Sequence, residues 1–162
     1  MNNQQKNQVE LKHIDVTDVN AVVGLFDKYR VFYKQQSDVV EAHTFLNERL
    51  CNNESVIVIA ECRLDDNVVV KGFTQLYPKF SSARMKRNWI LNDLFVDEPY
   101  RNQGIGKMII EYALKFAKQN NAKYVQLETS VDNYAAQRLY ESIGFIKLGI
   151  IDGFIIYKKE VN

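Results

Sequence analysis

Apolar residues recur at strand and helix spacing along most of the chain and divide it into alternating elements. Val9 to Ile14 alternates apolar and polar residues, which predicts a half-buried strand. From Asp18 to about Gln35, apolar residues recur at steps of three and four, which predicts a helix with one buried face. A second helix is predicted from Ser37 or Asp38 to the pair Asn52 and Asn53, a common helix stop.

Three consecutive strands are predicted in the middle of the chain. The β-branched run from Ser55 to Glu61, the turn residues Asp65 to Asn67 and the run from Val68 to Tyr77 together predict a hairpin. A loop is predicted from Pro78 to Asn88, and it leads into a third strand from Trp89 to Val96. These strands are expected to form a meander.

The second half of the pattern predicts a crossover and a closing hairpin. A long helix should begin near Gly104, and it is followed by a strand from Tyr124 to Thr129. A shorter helix is expected from Asn133 to Gly144, and the pair Asp152 and Gly153 separates two final strands. The order β-α-α-β-β-β-α-β-α-β-β predicts an α/β (α+β) fold in one domain over residues 1–162.

Composition removes several classes of function. Lys and Arg number 21 against 20 for Asp and Glu, so the chain has no global field that would attract nucleic acid or an anionic membrane. A basic stretch from Arg84 to Arg87 is the one feature that favours nucleic acid. No run of about 18 apolar residues occurs, so no membrane contact and a cytoplasmic location are expected.

The few cysteines and histidines do not predict a metal site. Cys51 and Cys62 are expected to be reduced thiols in the core, because two cysteines do not make a disulfide scaffold. His13 and His43 lack the spacing to a cysteine or an acidic pair that zinc ligands show. No bound metal is therefore predicted.

A glycine-containing turn between a strand and an amphipathic helix carries the candidate chemistry. It reads Arg101-x-x-Gly104-x-Gly106, and Lys107 follows it. Glycines let a ligand approach the backbone, and the first amides of the helix have no partner within it, so the turn suits a phosphate. A P-loop requires a Ser or Thr where Met108 stands, and a dinucleotide fingerprint requires a third glycine where Ile109 stands, so both fail.

The sequence resembles the GNAT superfamily of N-acetyltransferases in two segments that come in the family's order. WILNDLFVDEPYRNQGIGK is similar to the strand and pyrophosphate loop, and NYAAQRLYESIGF is similar to the second signature. The resemblance covers about the last half of the chain and implies a GNAT-like, mostly antiparallel sheet of six to seven strands with about four flanking helices. Within the superfamily, the likeness is greatest to the diamine (spermidine/spermine) acetyltransferases.

This resemblance implies acetyl-CoA as cosubstrate and assigns roles to individual residues. Tyr140 would protonate the departing thiolate, and the pantetheine arm would add to the strand end as an extra strand. The acceptor is expected to be a small primary amine such as a polyamine. A homodimer is consistent with the resemblance, because relatives in this family often dimerise. The residues expected to bind the cofactor are Leu94, Phe95, Val96, Arg101, Asn102, Gln103, Gly104, Ile105, Gly106, Lys107, Asn133 and Ala136.

The resemblance does not decide which group acts as the general base. Diamine acetyltransferases carry a Glu-Asp pair before the strand end, whereas this chain has Asn92 and Asp93. Successive strand side chains face opposite ways, so Asp93 replaces a base at position 92 only if the strand is locally irregular. Asp93, Glu128 and bulk water are the three alternatives. Tyr33, Asn92 and Glu128 are the residues expected to bind the acceptor.

The acceptor class also has alternatives. Asp38 and Glu41 on the first two helices favour a polyamine, whereas the basic stretch near Arg84 favours an acceptor with a carboxylate or phosphate. A peptide or protein amine, an amino acid and an aminoglycoside are the other acceptors in view. An alternative of another class is a non-catalytic acyl-CoA-binding regulatory module, which the absence of a glutamate at Asn92 favours and Tyr140 opposes.

Overall fold

The computed structural model describes residues 8–162, and its elements follow the predicted order. The strands are β1 (Glu10–Ile14), β2 (Val56–Leu64), β3 (Asn67–Ser81), β4 (Lys86–Val96), β5 (Tyr124–Ser130), β6 (Ile146–Ile151) and β7 (Phe154–Glu160). The helices are α1 (Val19–Phe32), α2 (Val39–Cys51), α3 (Ile105–Gln119) and α4 (Tyr134–Ile143). Two short 3-10 turns (Val16–Asp18 and Glu98–Tyr100) precede α1 and α3.

The strands form one seven-stranded sheet in the order β1-β2-β3-β4-β5-β7-β6. β1 and β2 are antiparallel, as are β5 with β7 and β6 with β7. β4 and β5 are parallel, with Trp89 opposite Val125 and Ile90 opposite Gln126, and β4 then continues to Val96. The predicted mixed, mostly antiparallel sheet is confirmed.

The β3–β4 hairpin is longer than the sequence pattern predicts. The predicted loop from Pro78 to Asn88 is wrong, because β3 runs to Ser81 and β4 begins at Lys86. The connecting residues Ser82 to Met85 are all exposed. Polar residues at the tip hide the strand pattern, although backbone pairing needs no apolar side chains.

Backbone contacts divide the chain into two compact units, and each has its own core. The first consists of residues 8–75 with Asp93–Ile109, and the second of Leu76–Asn92 with Ile110–Asn162. In the first unit, α1 and α2 cover one large apolar cluster. Its buried members are Ile14, Val19, Val22, Val23, Leu25, Phe26, Ala42, Leu46, Ile57, Ile59, Phe73 and Phe95.

The second unit is organised around aromatic residues and one buried amide. Trp89 packs edge-on against Phe116 of α3, with ring centroids 5.3 Å apart. Asn88 is fully buried, and its Oδ1 accepts hydrogen bonds from the backbone amides of Lys123 (2.9 Å) and Tyr124 (3.4 Å). These bonds fix the chain where β5 begins.

Two expectations about single residues have different outcomes. Cys62 is buried on β2, but Cys51 is exposed at the end of α2, so the prediction of two core thiols is wrong for Cys51. The last residue of α2 lies outside the apolar stripe that Ala42 and Leu46 form.

Within residues 8–162, no helix is both long and apolar enough to cross a membrane.

Asp27 holds the connection between α1 and α2. Its carboxylate accepts hydrogen bonds from the Ser37 hydroxyl (2.6 Å), the Asp38 amide (2.9 Å) and Arg30 Nη1 (3.3 Å). These bonds, led by that from Ser37, hold the pKa of Asp27 below its usual value although the residue is only 6% exposed. The charged form of Asp27 therefore stabilises the folded state.

We expect Asp27→Asn to lower Tm at pH 7 by roughly 2–4 °C, because loss of charge weakens these bonds by about 1 kcal/mol. A pKa lowered on folding gives stability that is present above the unfolded pKa and lost as pH falls through the folded pKa. The Tm difference should therefore close below about pH 4 in thermal unfolding. Asp66→Asn, in the exposed β2–β3 turn, is the control. An equal Tm difference at pH 3 and pH 7 would contradict this account.

Candidate active site

The turn after β4 is fixed from both sides. Asp97 caps the 3-10 turn that follows it by accepting a hydrogen bond from the Glu98 amide at 3.1 Å, and it also pairs with Lys28 at 2.8 Å. Arg101 Nε donates to the Val96 carbonyl oxygen at 2.9 Å. The side chain of Arg101 thus ties the turn to the end of β4.

Left-handed backbone at two positions directs the chain into α3. Asn102 has φ 59° and Gly104 has φ 80°, and the first helical hydrogen bond runs from Met108 N to Gly104 O at 3.1 Å. Residues 101–104 are exposed, and a Cβ added to Gly104 would meet no heavy atom within 4 Å. Amides of a first helical turn have no partner within their helix. The turn therefore offers backbone donors beside open space, an arrangement that fits a pyrophosphate.

Positive charge lies at both edges of this turn. The Arg101 guanidinium carbon is 5.3 Å from the ring centroid of Phe95 and 5.8 Å from that of Phe32. Lys107 is exposed on the first turn of α3. Cations stacked on aromatic rings are held in place while their charge stays at the surface. Gln103 and Ile105 are also predicted to bind the cofactor. Gln103 is exposed in the turn, whereas Ile105 is buried at the first position of α3.

The end of β4 lies between two apolar clusters. Leu94 and Val96 pack with Ile105 and Ile109 of α3, whereas Phe95 faces the cluster under α1 and α2. A Cβ on Gly72 of β3 would lie 2.9 Å from the Phe95 carbonyl oxygen and 3.0 Å from Ile109 Cδ1. Only a glycine lets β3 come this close. The residues predicted to hold the pantetheine arm are therefore on a rigid strand end.

Asp93 is a buried carboxylate that several donors hold. Its side chain is 4% exposed, Oδ1 accepts from the Tyr29 hydroxyl at 2.6 Å, and Oδ2 accepts from Gln75 Nε2 at 2.6 Å. The Thr74 hydroxyl donates to the Asp93 backbone oxygen at 2.7 Å. Sequence reasoning missed Tyr29, Gln75 and Thr74. The polar pair Thr74 and Gln75 inside an apolar strand was the signal that could have found them.

The three residues predicted to bind the acceptor differ in their surroundings. Tyr33 follows α1 and is 53% exposed; burial and then the charge of Asp93 raise the pKa of its phenol. Asn92 is exposed, in contrast to the buried Asp93 beside it. Glu128 is exposed on β5, opposite Ile156 of β7. The structure thus brings Tyr33 close to Asp93 in the first unit, while Asn92 and Glu128 belong to the second.

Tyr140 and Asn133 lie on α4 in the second unit. The Asn133 side chain caps the helix by accepting from the Ala136 amide at 3.2 Å, and Gly144 ends it with φ 94°, as predicted. Tyr140 is 7% exposed, and its ring lies 6.0 Å from Phe145 and 5.9 Å from Tyr157. Aromatic packing therefore fixes the Tyr140 ring.

Tyr157 beside it is a second buried phenol. Its hydroxyl donates to Glu141 Oε1 at 2.8 Å, and burial together with this bond raises the pKa of Tyr157 to about 12. Tyr157 is accordingly protonated at neutral pH.

Among residues 8–162, no group of three or more His, Cys, Asp or Glu side chains could hold a metal ion.

Comparison with known proteins identifies the family. Residues 21–145 match the model of the acetyltransferase (GNAT) family. The chain is 45% identical over 137 residues to the uncharacterized N-acetyltransferase YhfO of Bacillus subtilis, and the match covers 85% of this chain and 89% of that protein. The chain belongs to the GNAT family, and it is an N-acetyltransferase that takes its acetyl group from acetyl-CoA.

Solved structures share the fold over nearly the whole chain. A crystal structure described as a "probable acetyltransferase" has a TM-score of 0.78 and 38% identity, covering 88% of this chain and 99% of its own. The yncA protein of Salmonella typhimurium, solved with its cofactor acetyl-CoA, has a TM-score of 0.72 at 14% identity, with 96% of this chain and 95% of that one covered. At that identity the second likeness shows the fold alone.

We expect Gly104→Val to raise the KM for acetyl-CoA by at least about tenfold, because a branched side chain would fill the space above the turn amides and strain a left-handed residue. Gly153→Val is the matched control. Gly153 has φ 81° in the β6–β7 turn, and a Cβ there also meets nothing within 4 Å. Both variants should lose thermal stability, but only Gly104→Val should lose cofactor affinity. Equal KM values in the two variants would show that strain, not blocked access, is responsible.

Proposed function

We propose that the chain acetylates a small primary amine, with a diamine or polyamine as the acceptor class, in a single domain over residues 1–162. The observation that carries this proposal is the buried Asp93 carboxylate, which lies beneath Tyr29 and the half-exposed Tyr33. Aromatic faces and a nearby negative charge attract an ammonium group. This environment suits a cationic acceptor better than an anionic one.

Charges on the neighbouring elements support the same acceptor class. Asp38 and Glu41 are exposed at the beginning of α2, and the Asp38 carboxylate accepts from the Glu41 amide at 2.9 Å. In the basic stretch that would favour an anionic acceptor, the Arg87 guanidinium carbon instead lies 5.0 Å over the Trp89 ring. Arg87 belongs to the second unit, whereas Asp38, Glu41 and Asp93 belong to the first.

The proposed roles combine positioning with proton transfer. The turn from Arg101 to Gly106, with Lys107, would hold the pyrophosphate of acetyl-CoA, and the backbone of Leu94, Phe95 and Val96 would hold its pantetheine arm. Asn133 and Ala136 would contact the cofactor from the cap of α4. Acetyl-CoA supplies an acetyl group activated as a thioester. Binding, positioning and proton transfer depend on the backbone and side chains of this chain.

Two side chains are proposed to move protons. Tyr140 donates its phenolic proton to the leaving sulfur, a role for which aromatic packing holds the ring in one position. Asp93 accepts the proton that the acceptor nitrogen must lose. Its fixed hydrogen bonds favour Asp93 over the exposed Glu128, because a base acts best from a fixed position.

A panel of acceptors tests the substrate class. Linear diamines and polyamines, monoamines, amino acids, an aminoglycoside and a peptide with a free amino terminus would each be supplied with acetyl-CoA, and released thiol would be measured. We expect the highest kcat/KM for the diamines and polyamines. A higher value for the peptide, the amino acids or the aminoglycoside would overturn the acceptor class and leave the family assignment intact.

Tyr140→Phe should lower kcat on the order of 10²-fold while the Kd for acetyl-CoA stays within about twofold, because it removes one acidic proton and keeps the ring. Tyr157→Phe deletes a neighbouring buried hydroxyl and serves as the matched control, for which kcat should be unchanged. Steady-state rates between pH 6 and pH 9 and calorimetric titration with acetyl-CoA supply the two readouts. Full activity of Tyr140→Phe across that range would exclude Tyr140 as the acid.

A further inference from the structure

Tyr29 is a half-buried residue whose hydroxyl contacts the buried Asp93. It donates to Asp93 Oδ1 at 2.6 Å, and the ring is half-buried whereas the carboxylate is almost completely buried. Tyr33 packs edge-on against Tyr29 with ring centroids 4.9 Å apart, and it is half-exposed. Exposure therefore decreases along the contacts from Tyr33 to Tyr29 to Asp93.

Besides Tyr33, three aromatic rings pack against Tyr29, and a fourth ring packs against one of those three. The ring centroid of Tyr29 is 6.0 Å from that of Phe26, 5.8 Å from that of Phe73 and 6.1 Å from that of Phe95, and Phe45 stacks on Phe26. Close-packed rings of this kind permit few side-chain rotamers. The hydroxyl is thus held against the carboxylate instead of reaching it occasionally.

Gln75 provides the second side-chain hydrogen bond to the Asp93 carboxylate, and it does so at a cost to its own side chain. Its Nε2 donates to Asp93 Oδ2 at 2.6 Å, and its Oε1 has no hydrogen-bond partner among the described residues although Gln75 is fully buried. An unpaired buried oxygen destabilises a protein. The fold tolerates that cost while two side-chain donors, the Tyr29 hydroxyl and Gln75 Nε2, stay on the carboxylate and hold it in one position.

We propose that Tyr29 relays the proton of the acceptor amine to Asp93. This inference rests on the proposed role of Asp93 as the base. The phenolic oxygen of Tyr29 accepts a proton from the substrate ammonium as its own proton passes to Asp93 Oδ1, so Tyr29 ends neutral, Asp93 protonated and the amine neutral. After acetyl transfer, Asp93 returns its proton to the Tyr29 oxygen as the hydroxyl proton of Tyr29 passes to solvent water, which restores both residues. The surrounding rings assist, because apolar surroundings lower the pKa of a bound ammonium.

The charged and titratable neighbours of this pair include Tyr33 and Arg101. Tyr33 directly follows α1, and burial and then the charge of Asp93 raise the pKa of its phenol. Arg101, from the turn before α3, brings a positive charge to the face of Phe95. On β3 the neighbours are the neutral Thr74 and Gln75. These groups are unchanged in Tyr29→Phe, so a change in pH dependence on removing the hydroxyl would report on the Tyr29–Asp93 pair.

Tyr29→Phe tests the relay, because it keeps the ring contacts and removes only the hydroxyl. Two amines of similar size would be compared at pH 7, one with an ammonium pKa of about 10 and one, fluorinated beside the nitrogen, of about 7 or below. We expect kcat/KM to fall on the order of 10²-fold for the first amine and less than about threefold for the second. The ratio of the two values does not depend on the fraction of folded enzyme.

The pH profile supplies a second readout that a purely structural role would not change. Without a relay, only the neutral amine reacts, so kcat/KM of Tyr29→Phe should rise about tenfold per pH unit up to the pKa of the amine. The wild-type profile should be flatter over the same range. Tyr112→Phe on α3, which deletes a half-buried hydroxyl elsewhere, is the control and should match the wild type.

Asp93→Asn separates failure of the relay from failure of the proposed base. Selective loss on the high-pKa amine in both variants would support the relay. Loss in Asp93→Asn with none in Tyr29→Phe would overturn the relay and keep Asp93 as base. Equal loss on both amines in Tyr29→Phe would reduce Tyr29 to a structural role. Unchanged ratios in both variants would overturn the base and the relay together.

Discussion

A buried carboxylate must be held by hydrogen-bond donors, because it has almost no contact with water. In the first unit, Asp93 is such a carboxylate, and the elements around it must supply its donors. Its donors come from two other elements, Tyr29 of α1 and Gln75 of β3, and Thr74 holds the backbone at the same residue. Because three elements meet at one side chain, the end of β4 is fixed relative to α1. The Asp93 carboxylate thus sets the local structure at the end of β4.

The candidate cofactor turn depends on that strand end. Phe95 anchors β4 in the apolar cluster, Gly72 allows β3 to approach its carbonyl oxygen, and Val96 accepts the hydrogen bond from Arg101 that ties down the turn. A shift of β4 would therefore move the amides before α3. Backbone donors that bind a pyrophosphate need such fixed geometry, since the binding energy would otherwise be lost in ordering a flexible loop.

The features that the sequence predicted correctly are mostly local. Helical and strand periodicity, the Gly144 stop and the glycines before α3 are properties of neighbouring residues, so the element order could be predicted directly. The Tyr29–Asp93 contact joins residues 64 positions apart, and Tyr29 looked like one more member of an apolar stripe. The β3–β4 hairpin was underestimated for another reason, because its polar tip gives no alternation although its backbone still pairs.

The proposed mechanism depends on Asp93 as the acceptor of the proton that the amine must lose. Single-turnover transfer measures that step, with enzyme and bound acetyl-CoA mixed with a diamine at pH 7 and the acetylated amine quantified over time. If Asp93 is the acceptor, the Asp93→Asn variant should transfer the acetyl group on the order of 10²-fold more slowly and should bind acetyl-CoA as tightly as the wild type. Transfer at the wild-type rate in that variant would contradict it.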